Sequence, residues 1–297
     1  MTSPTQNRIG IDLGGTNMKL GRVEDGRVVE RFEIPTEHDG DVCLASLVEH
    51  IKKLSPDGAP AQIGVGLPGV IDLNRSRVID APNLTFLVDL PLADLLSEAC
   101  ACPVILENDA NVAALGEARC GAGQNHPDFL FVTLGTGVGG GLIFDSSLFH
   151  GPGGMAGEFG HLTVGHDRLC GCGALGCLEA IASARAMETL AAQSLGRPLP
   201  LKELADAARQ GDQDALAVFH TAGACLGDAL AQVTLLLDLR VFIFGGGGGP
   251  VLDLLRKPAL LVLQQRCFGR TMDDFQLLSA ELGNDAGLLG AAYLGEA

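Results

Sequence analysis

The sequence predicts an α/β chain of two domains, and three observations carry that expectation. Apolar runs rich in β-branched residues alternate with stretches of helical periodicity along the chain. A strand that ends in glycines and a threonine, then resumes as a second strand, occurs twice, at residues 9–24 and 128–144. At 297 residues the chain is also longer than one compact core usually holds. The first domain is expected over residues 1–118, joined by the closing helix at 285–297, and the second over 119–284.

Residues 8–13 (RIGIDL) read as a strand ending at Gly14-Gly15-Thr16, and 18–24 and 27–34 as two more strands about the turn Glu24-Asp25-Gly26. Backbone N–H groups reach phosphate oxygens closely only where no Cβ intervenes, so this turn suits a phosphate. Asp12, at the strand end, suits a water-bridged magnesium ion. A plain hairpin fits the same residues equally well. A helix at 41–54, a buried strand at 62–66, the loop Gly66-Leu67-Pro68-Gly69, a hairpin around 72–77, a helix at 89–101 and a strand at 103–106 follow. Cys100 and Cys102 lie at that last junction without further ligands nearby and read as free thiols.

Glu107-Asn108-Asp109-Ala110-Asn111 comes directly after the strand and opens a helix at 112–119. Four polar residues in five exceed what a helix cap needs. Asn108 or Asp109 can cap while the others face the carboxyl end of the strand, where open α/β sheets bind ligands. An aspartate there can take a proton from an alcohol.

The second hairpin is 128–134 (DFLFVTL), then Gly135-Thr136-Gly137-Val138-Gly139-Gly140-Gly141, then a strand at 142–144. Two copies of one phosphate-cradling hairpin indicate a duplicated fold with a nucleotide held between halves. No Gly-Lys-Ser/Thr follows, and the turns lead to strands, so neither a Walker loop nor a Rossmann fingerprint is present.

Residues 157–179 (GEFGHLTVGHDRLCGCGALGCLE) bring one imidazole and three thiols into a short span. His161, Cys170, Cys172 and Cys177 form the Cys₃His set of a closed structural zinc site; His166, inside the same loop, competes for the fourth position. Glu158 and Glu179 bracket the knuckle. Helices at 178–192, 201–209 and 212–237, a strand at 240–244, glycines 245–249 leading to a helix from Pro250, a strand at 275–279 and a helix at 285–293 complete the chain. Glycines feeding a helix N-terminus suit an anion or a ribose phosphate.

Composition excludes several classes. A net charge of −16 opposes binding along a nucleic-acid backbone. No long apolar run and no apolar signal core in the first twenty residues are read, so a cytoplasmic protein without a membrane partner is expected. Nine cysteines in that setting point to thiols and metal, not disulfides.

IDLGGTN (11–17), GLPG (66–69), ENDAN (107–111), TLGTGVGGG (133–141), GEFGH (157–161) and CGCGALGCLE (170–179) together resemble the ROK family of sugar kinases and sugar-responsive repressors. The resemblance covers nearly the whole chain, although the interval from His161 to Cys170 is one residue shorter than the family pattern. It implies the actin/hexokinase-like (ribonuclease H-like) fold, with ATP and sugar in a cleft between two α/β domains. It implies Asp109 as catalytic base, and Gly69, Asn83, Asn108, Glu158, His161 and Glu179 at the sugar. Asp12, Gly14, Gly15, Thr16, Asn17, Lys19, Thr133, Gly135, Thr136, Gly137, Gly246 and Gly247 are expected to serve ATP and Mg²⁺, and zinc is expected at the knuckle. The expected activity is phosphorylation of a hexose at its 6-hydroxyl, with glucose ahead of N-acetylglucosamine, N-acetylmannosamine and fructose. ATP is the expected donor, with polyphosphate the alternative, and a homodimer is implied. The repressors carry an N-terminal helix-turn-helix segment; only residues 1–7 precede the first strand here, which disfavours a regulator.

Overall fold

The computed structural model describes residues 7–296. The first elements are β1 (Arg8–Leu13), β2 (Asn17–Glu24), β3 (Arg27–Pro35), α1 (Gly40–Leu54), β4 (Gln62–Leu67), β5 (Val70–Ile71) and β6 (Val78–Asp80). Next come α2 (Leu92–Cys100), β7 (Val104–Asn108), α3 (Asp109–Cys120), β8 (Phe129–Leu134), β9 (Val138–Phe144) and β10 (Ser147–Leu148). Then follow α4 (Glu179–Ala182), α5 (Ala184–Leu195), α6 (Leu201–Arg209), α7 (Gln213–Leu237), β11 (Val241–Gly245), α8 (Leu252–Arg266), β12 (Gln276–Ser279) and α9 (Ala286–Ala292).

Two five-stranded sheets run in the orders β3-β2-β1-β4-β7 and β10-β9-β8-β11-β12. In the first, β1 is antiparallel to β2 and parallel to β4, which is parallel to β7. In the second, β11 is parallel to both β8 and β12, and β10 is antiparallel to β9. The repeated strand–turn–strand pattern in the sequence is therefore the same sheet order built twice. Contacts group the chain into two compact units, one of Met1–Pro127, Gly141–Ala156 and Glu281–Ala297, the other of Asp128–Gly140 and Gly157–Ala280. The outer limits of the expected first domain, residues 1–6 and 297, lie outside the described residues.

In the first unit Ile9, Ile11 and Leu13 of β1 and Ile63, Val65 and Leu67 of β4 are buried with Cys43, Leu47, Ile51 and Leu54 of α1. Those α1 positions recur at intervals of three or four residues, one face of a helix. Asp39 caps α1 by accepting from the Asp41 and Val42 N–H groups, and Lys52 and Lys53 sit in its last turn, opposite the dipole. α9 lies directly on this sheet: a Cβ on Gly64 would overlap the Ala291 carbonyl, and one on Gly290 would overlap that of Val112.

In the second unit α7 packs against α5, α6 and α8. The sequence was read as lacking a long apolar run, yet the 25 residues of α7 are long and apolar enough to cross a membrane by length and composition, with a mean hydropathy of 1.2 in the best window. Half of that window is buried against the neighbouring helices, which accounts for its apolar character in a core role.

Three further expectations are corrected. The helix expected at 178–192 is two helices, broken at Ser183, whose hydroxyl accepts from the Ala186 N–H and caps α5. The helix expected from Val112 begins at Asp109, because Asn108 supplies the cap. Of the glycine run 135–141 only 135–137 is turn; the rest belongs to β9. Gly140 and Gly141 are there for close packing, since a Cβ on Gly140 would lie 2.6 Å from the Gly157 oxygen and one on Gly141 would lie 2.6 Å from the Ala114 Cβ.

Candidate active site

The junction of β7 and α3 puts Asn108 and Asp109 at the carboxyl end of β7, the edge strand that runs parallel to β4. The Asn108 side chain accepts from the Ala110 and Asn111 N–H groups, 2.9 and 3.3 Å, and its Nδ2 donates to the Gly69 carbonyl at 3.2 Å. Gly69 has φ +140° and passes so near Asp80 that only glycine fits. Asp109 is exposed at the first position of α3, with Oδ1 accepting from the Ala110 N–H at 2.9 Å. A solvent-exposed carboxylate at a helix start has the chemistry to orient a hydroxyl and take its proton.

Glu107, just behind, is 5% exposed and fully engaged. Its Oε1 accepts from the Asn108 N–H and from Asn111 Nδ2, both at 2.9 Å. Its Oε2 lies 2.9 Å from Arg75 Nη1 and 2.9 Å from His150 Nε2. Burial alone would push its pKa up. The bond to His150, the charge of Arg75 and the bonds from Asn111 and Asn108 outweigh that and hold the carboxyl below the usual range. Sequence reasoning missed Arg75 and His150. They lie in a hairpin and a loop far along the chain, and no local pattern announces them.

The first glycine turn closes with Gly14 N–H donating to the Asn17 carbonyl at 3.0 Å. The Thr36 hydroxyl donates to the Gly14 carbonyl at 2.7 Å, and the Thr36 N–H to the Thr16 carbonyl at 2.9 Å. Asn17 Nδ2 contacts Glu33 at 3.5 Å. Asp12 is 3.4 Å from Lys19 Nζ, so a carboxylate and an ammonium stand beside the turn. Asn83 lies against the turn, its Cβ 3.1 Å from where a Cβ on Gly15 would be.

The second turn has the same length, with Gly135 N–H donating to the Gly137 carbonyl at 2.9 Å. Thr133 and Gly246 adjoin, since a Cβ on Gly246 would sit 2.6 Å from the Thr133 hydroxyl, and Gly248 N–H donates to the Leu134 carbonyl at 2.7 Å. Gly247 has open space on its Cβ side among the described residues. The helix expected from Pro250 begins instead with a 3₁₀ turn at Gly249–Val251, and α8 starts at Leu252.

His161, Cys170, Cys172 and Cys177 place their ligand atoms within 4.8 Å of one another. Cys172 Sγ is 3.6 Å from Cys177 Sγ, and Cys170 Sγ is 3.8 Å from His161 Nδ1. Tetrahedral coordination with Zn–S bonds of about 2.3 Å requires sulfurs about 3.8 Å apart, so the donor set and spacing fit zinc. His166 is turned elsewhere: Nε2 lies 3.1 Å from the Cys177 carbonyl, and Nδ1 accepts from the Arg168 N–H at 3.1 Å. Burial first, then the two neighbouring thiols, push the Cys177 thiol up to about 12. Burial also pushes the Cys170 thiol up, whereas the backbone bond from Ala174 and the bond from Cys170 pull the Cys172 thiol down. A divalent cation would offset the cost of ionising the two raised thiols. The other nitrogen of His161 faces Glu158, 3.9 Å from its Oε2. Glu179 opens α4 with Oε2 accepting from the Val138 N–H at 3.0 Å and Oε1 3.6 Å from Cys170 Sγ. A cavity of about 520 Å³ beside it is lined by Thr136, Arg168, Cys170, Glu179 and Arg185 among others. Away from this cluster Cys100 and Cys102 are buried, and burial pushes the Cys102 thiol up to about 11, consistent with inert packing.

The sequence profile of the ROK family matches residues 8–297. A glucokinase of Halalkalibacterium halodurans is 35% identical, covering 96% of this chain and 94% of the relative. An N-acetylmannosamine kinase of Yersinia pestis is 34% identical, with 96% of each chain covered. Among solved structures, a ROK family glucokinase from Streptomyces griseus in complex with glucose and AMPPNP is 36% identical with a TM-score of 0.81, over 98% of this chain and 99% of that one.

Proposed function

This chain belongs to the ROK family, and on that premise we propose that it transfers the γ-phosphoryl group of ATP to the 6-hydroxyl of a hexose, glucose before others. The observation that carries the reading is Asp109, an exposed carboxylate fixed at the start of α3 with Asn108 locked beside it. Asp109 orients the primary hydroxyl and takes its proton as the oxygen attacks phosphorus. Phosphoryl transfer otherwise needs positioning and charge neutralisation. Turn residues Gly14, Gly15, Thr16, Asn17, Gly135, Thr136 and Gly137 are the proposed N–H donors to the phosphates, with Lys19 as a cation, while Thr133, Gly246 and Gly247 serve the rest of the nucleotide. Asp12 is the carboxylate that would hold Mg²⁺, which supplies charge neutralisation at the phosphates.

Gly69, Asn83, Asn108, Glu158, His161 and Glu179 form the proposed sugar set. Asn, Glu and His suit an uncharged ligand that is polar on every side, because a substrate lacking a hydroxyl leaves a carboxylate unpaired at considerable cost. His161, Cys170, Cys172 and Cys177 would hold a structural zinc, which would fix the imidazole whose other nitrogen faces Glu158. The proposed setting is the cytoplasm and the proposed assembly a homodimer, checked by sedimentation. The relative that phosphorylates N-acetylmannosamine by name gives the second reading, a kinase of an N-acetylated hexosamine.

A coupled ADP-release assay with glucose, N-acetylglucosamine, N-acetylmannosamine and fructose tests the assignment. Glucose is expected to lead in kcat/KM by tenfold or more, about 1.4 kcal/mol in transition-state binding. A tenfold lead for N-acetylmannosamine establishes the second reading, and no sugar-dependent ADP release refutes both. Polyphosphate in place of ATP tests the donor, and ATP is expected to be required.

A further inference from the structure

Glu179 does something the sugar set does not explain. It lies two residues beyond the cluster ligand Cys177 and opens α4, while its Oε2 accepts the Val138 N–H at 3.0 Å, where β9 leaves the second glycine turn. Five residues on, the Ala184 N–H at the start of α5 donates to the Gly135 carbonyl at 2.9 Å. The chain leaving the cysteine knuckle thus holds the turn at both ends. Leu178, between Cys177 and Glu179, is fully buried, and its N–H donates to the Leu162 carbonyl at 2.9 Å, which fixes the segment's backbone.

Gly137 supplies an independent sign of this fit. A Cβ there would overlap Glu179 Oε2, and no other neighbour approaches it within 3 Å. Gly137 is not among the positive-φ glycines, so the backbone itself would accept alanine. A side chain at 137 would therefore move the Glu179 carboxylate off the Val138 N–H while leaving the backbone in place.

We propose that Glu179 is a positioning residue through which the His161–Cys170–Cys172–Cys177 knuckle sets the phosphate turn at 135–137. The consequence for nucleotide rests on the kinase reading above. With a metal on Cys170 the sulfur is a thiolate and has no proton to give Oε1, so the Val138 N–H is the donor that holds the carboxylate. Metal at the knuckle fixes Cys177, Cys177 fixes the start of α4, and Glu179 carries that order to the turn.

The test uses the full, zinc-loaded chain without sugar, so that a role of Glu179 at the sugar does not enter. Glu179→Ala, Glu179→Gln and Gly137→Ala are compared for binding of a non-hydrolysable ATP analogue by calorimetry, for amide hydrogen exchange at 135–140 and 14–17, and for zinc content. Glu179→Ala and Gly137→Ala are expected to weaken the analogue about tenfold and to speed exchange at Val138, with one zinc per chain retained. Glu179→Gln, whose amide oxygen still accepts the Val138 N–H, is expected to keep most of the affinity and protection. Chelation of the wild-type chain is expected to speed exchange at Val138 while 14–17 stays protected, and to add nothing further in Glu179→Ala. Unchanged Val138 exchange in Glu179→Ala, or loss of protection over 14–17 as fast as over 135–140 on chelation, would overturn the proposal. Because no phosphoryl transfer is measured, failure of the sugar-kinase reading leaves the exchange result interpretable and separate.

Discussion

The two glycine turns have the same length and sit at equivalent strands of sheets with the same strand order, yet they are held by different means. The first is tied by Thr36, the residue that follows β3, so its support comes from its own sheet. The second is tied by Glu179 and Ala184, which follow the cysteine knuckle 41 or more residues later in the chain. The repeated sheet order therefore repeats the length of a turn without repeating its closing bond or what steadies it. The first turn leans on its own sheet, and the second on the segment that leaves the cysteine loop.

The largest separation of the two should come from Gly64→Ala, because the new Cβ meets the Ala291 backbone, which cannot move aside without shifting α9 from the sheet. A loss of about 3 kcal/mol or more is expected in urea unfolding of the first unit, with zinc binding in the second unit retained. A midpoint equal to wild type would show that α9 does not brace the first sheet.

A smaller effect is expected from Glu107→Gln, about 2 kcal/mol for removing a buried charge that accepts charged and neutral bonds. The folded carboxyl titrates below its ordinary value. Its stabilisation is therefore complete above the unfolded value of about 4.3 and is lost as pH falls through the lower folded value. Urea midpoints from neutral pH into acid should show wild type and variant converging at the acid end. A gap that stays constant with pH would mean that Glu107 is not ionised in the fold.

The smallest effect belongs to Thr36→Val, which removes one hydroxyl bond to the Gly14 carbonyl and should cost about 1 kcal/mol. Hydrogen exchange should quicken at 14–17 and stay unchanged at 135–138. Equal quickening at both turns would erase the distinction between them.

Much of this arrangement was legible in the sequence where the signal is local. The apolar run 128–134 and the turns after Leu13 and Leu134 declare strands and hairpins by composition and spacing. The knuckle declares itself as a cluster because cysteines at 170, 172 and 177 stand so close in sequence. Long-range partners were not legible. Glu107 meets Arg75 and His150, residues whose neighbours resemble any hairpin or loop. Gly137, Gly140 and Gly141 read alike as turn glycines, yet one makes room for a carboxylate and two for packing of backbone and helix. A sequence shows where glycine occurs; the atom it makes room for appears only in three dimensions. His161 and His166 differ in the same long-range way, since one ring nitrogen lies beside Cys170 and the other ring bonds the Cys177 carbonyl.

The most direct test of the central claim, that Asp109 accepts the proton of a hexose 6-hydroxyl, is Asp109→Asn assayed with glucose and ATP. The amide keeps the size and the bond to the Ala110 N–H but cannot take a proton. The expected result is a fall in kcat of about a thousandfold, with glucose affinity by calorimetry nearly unchanged, since the carboxylate acts mainly in the transition state. A variant that keeps more than about a tenth of the wild-type kcat, well short of what loss of a general base costs, would contradict the claim.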